Sequence, residues 1–434
     1  MKISAKFFAL ILILNCRLSI AQPDTLEYFA DLPLRYENYV YADNIKSVLL
    51  EKAGFRLSEP ALFFGSNEKL ILSFDDLQGG VSDYSYTFIH CNSDWTPTQI
   101  PVSQYLQGFS DDRIFDYAFS FNTIQSYTHY FLEFPNENLE PLLSGNYIIR
   151  IFETGNPEKT IITRRWLYYE NKVQIDATVK RATVIADRYS KQEIDFSVNY
   201  FSLPVQNPFS EFKVVLQQNS RWDNVIHNLK PLYIKDRLLD YNYEEENTFN
   251  GGNEFRTFDT RSYKTPNQYV RGFLEDSSGI DAYIKDDISR AAYRYSIEDD
   301  INGKYLVSMY AGRDESREAD YITVHFKLLM EYPVENGTPY IFGALTDWQL
   351  LPEAKLKYDY EKQAYHTELF LKQGYYNYEY VVLTDSNLSA DETQIEGNHF
   401  ETENDYSIMV YYIPPGSRYE QLAAWKRISS KNIY

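Results

Sequence analysis

The abundance of aromatic residues is the feature that most limits which folds this chain can adopt. Its 434 residues include 40 Tyr and 27 Phe, and aromatic side chains make up 17% of the sequence. Tyr and Phe favour β-strands, where flat rings pack on a pleated surface. Met is scarce, and the apolar heptads of helical bundles are missing. The composition therefore predicts an all-β protein.

The length and the spacing of the strand-like runs predict several domains. Single hydrophobic cores rarely grow past about 250 residues, and runs separated by turn signals divide this chain into three blocks. Tyr84, Tyr86, Phe88 and His90, for example, recur at the period of two that is typical of a strand. We predict tandem immunoglobulin-like or early-set β-sandwiches joined by short linkers, with these bounds: 22–170, 171–330 (with long loops) and 331–434.

The first 21 residues have the three parts of a cleavable secretory signal. Two lysines precede an apolar run over 7–14, and small residues occupy the positions before the expected cleavage site. The run is too short to span a bilayer as a helix. Cys16 follows Asn15, where a lipoprotein signal needs a small residue, so we expect no lipid anchor. The mature chain is predicted to be exported without an intrachain disulfide, because Cys91 is then its one cysteine.

The acidic balance of the chain narrows the choice of partners. Asp and Glu number 62 against 42 Lys and Arg, which gives a formal net charge of −20 at pH 7. Binding to nucleic acid depends on neutralising phosphates with clustered Lys and Arg. Adsorption to anionic lipid headgroups needs the same positive charge. The charge therefore argues against both kinds of partner.

Sequence motifs for catalysis or metal binding are missing. There is no His-x-His or Cys-x-x-Cys spacing, no Gly-x-Ser-x-Gly element, no phosphate-binding Gly-rich loop and no calcium loop. His90, Cys91 and His129 are interpreted as structural residues. Acid pairs are interpreted mostly as solvated turns and not as the facing carboxylates of a glycosidase: Asp75-Asp76, Asp111-Asp112, Asp286-Asp287 and Asp299-Asp300. We expect no enzymatic activity, no catalytic residue, no cofactor and no metal.

The third block resembles glycogen-binding and early-set immunoglobulin-like modules. A strand ending at Gly343 is followed by Asp347-Trp348, a hairpin and a tyrosine-rich strand over 375–383. Sugar rings could stack on Trp348 and the tyrosines of that strand (Tyr375, Tyr376, Tyr378 and Tyr380), although an aromatic row in a β-sandwich more often faces the core. This leaves an alternative function open, an exported carbohydrate-binding protein of a polysaccharide-uptake system. The stretch 419–428 is predicted to form a short C-terminal helix.

A characteristic set of residues runs through the first block and into the second. It comprises Leu70–Leu77, Asp83–Asn92, Asp94–Pro97, Tyr105–Phe109, Asp116-Tyr117, Ser120–Thr123, Tyr127–Tyr130, Phe134–Asn136, Ser144–Tyr147, Gly252–Arg256 and Phe258-Asp259. In these residues the sequence closely resembles the periplasmic plug proteins of the type IX secretion system of Bacteroidetes. The resemblance extends over essentially the whole mature chain.

The resemblance implies a non-enzymatic role. Proteins of this family are β-sandwich chains that dock on the periplasmic mouth of a very large outer-membrane β-barrel translocon and occlude its pore when it is not engaged in export. It also implies a periplasmic location at the inner face of the outer membrane and one copy per translocon. A compact chain of the mature length would have a radius of gyration of about 22 Å, enough to cover an opening of tens of ångströms. The partner-binding residues stay unassigned; the loops of 219–300 and the tips of the first domain are the candidate docking surfaces.

Overall fold

The computed structural model describes residues 33–201, 203–384 and 390–431, so the predicted signal peptide lies outside the described residues. Antiparallel strands dominate these ranges, which confirms the predicted all-β class. No helix in them is long and apolar enough to cross a membrane. The helices are single turns: α1 (Val102–Tyr105), α2 (Pro208–Glu211), α3 (Glu315–Glu318), α4 (Thr393–Glu396) and the 3₁₀ turns Ala344–Thr346 and Pro352–Ala354.

The first sandwich contains the strands that precede residue 170. These strands are β1 (Tyr39–Val40), β2 (Ile45–Lys52), β3 (Ala61–Phe63), β4 (Leu70–Asp76), β5 (Tyr84–Cys91), β6 (Leu106–Gly108), β7 (Asp112–Arg113), β8 (Tyr117–Phe119), β9 (Thr128–Phe134), β10 (Leu139–Pro141), β11 (Gly145–Glu153) and β12 (Asn156–Tyr169). One sheet has the order β1-β12-β11-β5-β7, with β3 parallel to β12, and the other has the order β2-β4-β9-β8. Strands β6 and β10 pair separately.

Aromatic side chains fill the core between these two sheets. Alternate residues of β5, such as Tyr86 and Phe88, point inward and are buried. The Phe88 ring lies 5.4 Å from the Trp166 ring in an edge-to-face arrangement, and Trp166 stacks on Tyr147 at 4.7 Å. Such ring pairs add stabilisation beyond the apolar area that they bury.

The second sandwich begins with the strands that follow residue 173. They are β13 (Gln174–Arg181), β14 (Lys191–Asn199), β15 (Phe212–Gln218), β16 (Ile226–His227), β17 (Tyr233–Lys235), β18 (Leu238–Asp240) and β19 (Thr248–Asn250). One sheet has the order β13-β14-β18-β17, with β19 also paired to β14. In the other sheet, β15 pairs with β16 along one edge. None of the strands from β13 to β19 pairs with the other edge of β15.

The third sandwich follows directly. Its strands are β20 (Arg256–Asp259), β21 (Val270–Asp276), β22 (Gly279–Ile284), β23 (Asp287–Ile288), β24 (Tyr305–Val307), β25 (Tyr321–Leu329), β26 (Gly337–Phe342), β27 (Lys357–Asp359), β28 (Ala364–Lys372), β29 (Gly374–Thr384) and β30 (Ala390–Asp391). The long strand β29 pairs with β20 and β24 along its first half and with β26 and β30 along its second. The facing sheet has the order β21-β22-β25-β28-β27, with β23 beside β25.

The last two strands, β31 (Asp405–Tyr412) and β32 (Gln421–Ser429), return to the second sandwich. Strand β31 pairs with β15 from Phe212 opposite Tyr412 to Gln218 opposite Tyr406. Ile408 and Val410 of β31 belong to the same buried cluster as the residues of β14 and β15. The third sandwich is therefore inserted into the second.

This grouping differs from the predicted division at residue 330. The predicted third block, 331–434, contributes strands to two sandwiches, because residues 405–429 complete the sheet that starts at β15. The predicted helix over 419–428 is also corrected. That stretch forms β32, since Ala423 and Ala424 are buried in the second core and the edge of β31 offers hydrogen-bonding partners.

Strand β31 is expected to be essential for the second core. Ile408→Ala should lower the free energy of unfolding by about 2–5 kcal/mol, because it leaves a cavity at a fully buried position, whereas Ile408→Val should cost about 1 kcal/mol. Urea unfolding followed by circular dichroism measures both. Equal and small effects for the two variants would contradict the placement of β31 in this core.

Candidate functional site

Three of the five aromatic residues considered for sugar stacking are buried, and the other two, Trp348 and Tyr375, are partly buried. Tyr376, Tyr378 and Tyr380 are buried in the third core. The hydroxyls of Tyr378 and Tyr380 donate to Asp287 Oδ2 at 2.7 and 2.8 Å. Trp348 lies edge-on to Phe342 at 5.5 Å. These positions give the carbohydrate-binding alternative no support.

His90 and Cys91, interpreted from the sequence as structural residues, are both buried in the first sandwich. His90 is buried, with Nδ1 3.1 Å from Thr98 Oγ1 and Nε2 3.3 Å from the carbonyl oxygen of Ser144. Burial lowers the pKa of His90 to about 4 and raises the pKa of the Cys91 thiol to about 12. Within the described ranges, no cluster of His, Cys, Asp or Glu could hold a metal ion.

The adjacent acids are less uniform than the sequence suggested. Asp111 lies at an exposed turn, but Asp75 and Asp76 are fully buried, which corrects their interpretation as solvated. Asp76 accepts hydrogen bonds from Asn44, Ser82 and Tyr84, all within the first sandwich. Asp75 has a different role, because its partners include residues of another sandwich.

Asp75 ties the first sandwich to the third through a buried network. Its Oδ2 accepts from Lys372 Nζ at 2.6 Å and from the Tyr321 hydroxyl at 2.7 Å, while Oδ1 lies 2.7 Å from His129 Nδ1. Tyr321 and Lys372 stand directly opposite each other on β25 and β28. The ammonium also lies 4.1 Å from the centre of the Tyr127 ring. Burial lowers the pKa of Lys372, and the Asp75 carboxylate opposes that shift.

Further polar contacts connect all three sandwiches. Arg164 of the first and Asp347 of the third pair at 2.9 Å, and Glu59 of the first accepts from Lys304 of the third at 2.7 Å. Between the first and the second, the Tyr411 hydroxyl donates to Asn146 at 2.7 Å. A separate apolar cluster also joins these two sandwiches, and it includes Cys91, Trp95, Ile148, Val215, Met409 and Leu422. The three sandwiches are therefore held as one body by buried contacts.

Breaking the Asp75–Lys372 pair should be costly. Lys372→Met leaves Asp75 buried without its cation and should lower the free energy of unfolding by about 3–5 kcal/mol. Adding Asp75→Asn should recover part of that loss, because the uncompensated charge is then removed. Chemical denaturation measures each variant.

The matched control is an exposed pair within the third sandwich. Lys362 and Asp359 lie 3.1 Å apart with the Lys362 side chain 69% exposed. Lys362→Met should change stability by less than about 1 kcal/mol. If Lys372→Met lowered the free energy of unfolding by as little as Lys362→Met does, the buried pair would contribute little to the junction.

Two carboxyls with raised pKa values lie where the chain passes from the second sandwich to the third. Glu254 Oε1 accepts from the Tyr295 hydroxyl and from the backbone N–H of Glu403, and Asp300 accepts from the N–H of Phe255. Burial raises the pKa of Glu254 to about 7 and that of Asp300 to about 6, with their mutual repulsion adding to the shift of Glu254.

This pair should make stability pH-dependent. The folded protein holds these protons more tightly than the unfolded chain, so stability is fullest below the ordinary pKa values and falls as the pH rises through about 7. Glu254→Gln should flatten the decline between pH 5 and pH 8 in urea midpoints. Glu361→Gln, at an exposed turn, should not, and an unchanged slope in Glu254→Gln would refute the assignment.

The segment 219–300, predicted to hold long docking loops, is more ordered than expected. It contains several short strands between β16 and β23. The irregular part that follows is fastened to the rest, since the Arg290 N–H donates to the carbonyl oxygen of Ile395 at 2.7 Å and Arg290 also pairs with Glu396. Exposed apolar side chains remain at Tyr233 and Leu274. Its role in docking stays a prediction.

A row of exposed aromatic side chains lies on the first sandwich. Phe115, Tyr117, Phe119 and Phe121, here called the aromatic edge, are 70%, 42%, 51% and 56% exposed. Tyr117 and Phe119 lie in β8 and share one face of this edge strand, while Phe115 and Phe121 flank it. Tyr117 stands opposite the buried Tyr130, which shows that the row continues the core-facing side of the sheet beyond the core.

The position of the aromatic edge has a physical explanation. Strand β8 is the last of its sheet, and the opposite sheet ends in the two-residue strand β7, so little covers its aromatic side chains. Part of its backbone is already satisfied, because the N–H of Phe121 donates to the carbonyl oxygen of Arg317. Contiguous exposed apolar groups of this kind are typical of protein-binding surfaces. The sequence carries the signal as alternating aromatics over 115–121, a pattern that matches no catalytic or metal-binding motif.

Comparison with known proteins agrees with the architecture. Residues 45–170 match the family model for the first domain of the type 9 secretion system plug protein. A crystal structure of a hypothetical protein from Parabacteroides merdae is 31% identical in sequence and superposes with a TM-score of 0.88. That similarity covers 92% of this chain and 100% of the other. No curated protein matches the chain.

Proposed function

Because this chain belongs to the type IX secretion system plug protein family, we propose that it is a non-enzymatic plug that docks on the periplasmic mouth of the outer-membrane barrel translocon and occludes its pore. A role associated with type IX secretion and a periplasmic or envelope location come with the family. The docking and the occlusion are the proposal. One copy would act per translocon, from the inner face of the outer membrane.

The observation that carries the proposal is the buried junction between the three sandwiches. A body that closes a wide pore must keep its shape under load, and a string of flexibly linked domains would not. Here Asp75–Lys372 and Arg164–Asp347 join the first sandwich to the third, and a shared apolar cluster joins it to the second. Such buried contacts favour one fixed arrangement over relative domain motion.

The aromatic edge supports a reversible contact. Exposed Phe and Tyr side chains are frequent anchors of protein interfaces, and a few anchors carry most of the binding energy. The whole chain has a formal net charge of −20 at pH 7, and this charge favours solubility of the free protein after release. We therefore propose that the aromatic edge contacts the periplasmic rim of the barrel.

The contact surface can be tested by co-purification. Phe115→Ser combined with Phe119→Ser should reduce recovery of the barrel with the tagged full chain at least about tenfold, because both anchors are lost. The control is Tyr360→Ser, which removes a side chain that is 78% exposed on the third sandwich and should leave recovery unchanged. Equal recovery with all three proteins would remove the aromatic edge as the contact.

A second measurement tests occlusion itself. Cells that lack this chain should admit a small outer-membrane-impermeant dye, and the intact chain should restore the barrier. The Phe115/Phe119 variant should restore it less well than the Tyr360 variant. A barrier that stays intact without the chain would overturn the proposed function whatever the co-purification shows.

A further inference from the structure

A cavity lies where the three sandwiches meet, apart from the aromatic edge. Its volume is about 160 Å³. Trp95 and Arg165 of the first sandwich, Trp222 and Trp425 of the second and Trp348 of the third border it. With Trp166, all five tryptophans of the chain lie at its wall. Aromatic walls of this kind suit a flat apolar group.

Arg165 brings a positive charge to this cavity without a counter-ion. Its Nε donates to the carbonyl oxygen of Tyr36 at 2.9 Å, and no carboxylate of the described ranges pairs with its guanidinium. The neighbouring Arg164, by contrast, is paired with Asp347. Burial lowers the pKa of Arg165 to about 10, which reflects the cost of holding this charge away from water.

The tryptophans beside Arg165 compensate only in part for the hydration that its guanidinium loses. The guanidinium carbon lies 4.5 Å from the centre of the Trp95 ring and 5.1 Å from that of Trp222, so cation–π attraction offsets some of the lost hydration. The Nη groups still have no acceptor in the described part of the chain. Trp95 is 4% exposed, and its Nε1 has no hydrogen-bond partner there either. The buried Trp95 Nε1 carries the cost of an unmade hydrogen bond, whereas Arg165 is only partly buried, so its guanidinium can be reached from outside.

The other charges at the wall are already engaged. Glu59 pairs with Lys304, and Asp347 pairs with Arg164. Glu51, the remaining carboxylate, accepts from the backbone N–H of Leu57. Arg165 is therefore the cation that is left for an external anion.

We propose that this cavity binds an aromatic carboxylate, with a single ring against the tryptophans and the carboxylate on Arg165. A guanidinium and a carboxylate match in shape and can form two parallel hydrogen bonds. An apolar cavity of about 150 Å³ accepts a benzene ring, so the volume here suits one ring. A free aromatic acid and the last residue of a polypeptide ending in Phe share this chemistry. The site is independent of the proposed plug function.

The first test uses the full mature chain and tryptophan fluorescence. Titration with N-acetyl-phenylalanine should give a saturable change, because every tryptophan borders the cavity. Its amide, which lacks the carboxylate, should bind at least about tenfold more weakly. Tetrapeptides ending in Phe, with a free or an amidated C-terminus, distinguish a free aromatic acid from the end of a polypeptide as the ligand. Tighter binding of the free-terminus peptide than of N-acetyl-phenylalanine indicates a polypeptide end, and the reverse order indicates a free acid.

The second test uses a matched pair of arginine variants. Arg165→Gln should weaken binding of N-acetyl-phenylalanine at least about tenfold. Arg150→Gln, on β11, should not, because Arg150 donates to Thr160 Oγ1 at 2.8 Å and lies outside the cavity. If Arg165→Gln fails to fold, the comparison of acid and amide on the unaltered chain decides. Absence of saturable binding at millimolar acid, or equal affinity for acid and amide, would overturn the proposal.

Discussion

The buried pair of Asp75 and Lys372 is the interaction on which the arrangement of the molecule depends. Both side chains are out of water, and each belongs to a different sandwich. Each charge is tolerated inside the protein only because the other lies beside it, so an arrangement that kept one of them buried without its partner would be expensive. Tyr321, Tyr127 and His129 surround the pair and fix its geometry. Specific orientation, more than raw stability, is what such a contact confers.

These contacts explain how the many tyrosines stabilise the protein. A buried Tyr contributes a ring to a core and a hydroxyl that can reach a polar partner at its rim. Tyr411 does this between the first and second sandwiches, and Tyr321 between the first and third. Tyr378 and Tyr380 do it within the third. Cys91 is a free cysteine in the described residues, and the sandwiches are held together there by tyrosine hydroxyls among other contacts.

Much of the local structure was predictable, because period-two alternation marks strands such as β5 directly. The pairing of β15 with β31 was not, since it joins residues far apart in the chain and leaves no local pattern. The burial of Asp75 also escaped prediction, because its cation comes from another sandwich. Arg165 and the tryptophans meet only through tertiary packing, so no spacing in the sequence points to their cavity.

The insertion of one sandwich into another affects how the chain can fold as it is made. Strand β15 is complete early, but its partner β31 begins only at Asp405. Until then an apolar strand in the middle of a sheet has a bare edge, the usual template for unwanted association between chains. Contacts of such wide sequence separation also form slowly. A chaperone that covers this edge during synthesis would therefore help a chain with this topology more than it would help a chain of simple tandem sandwiches.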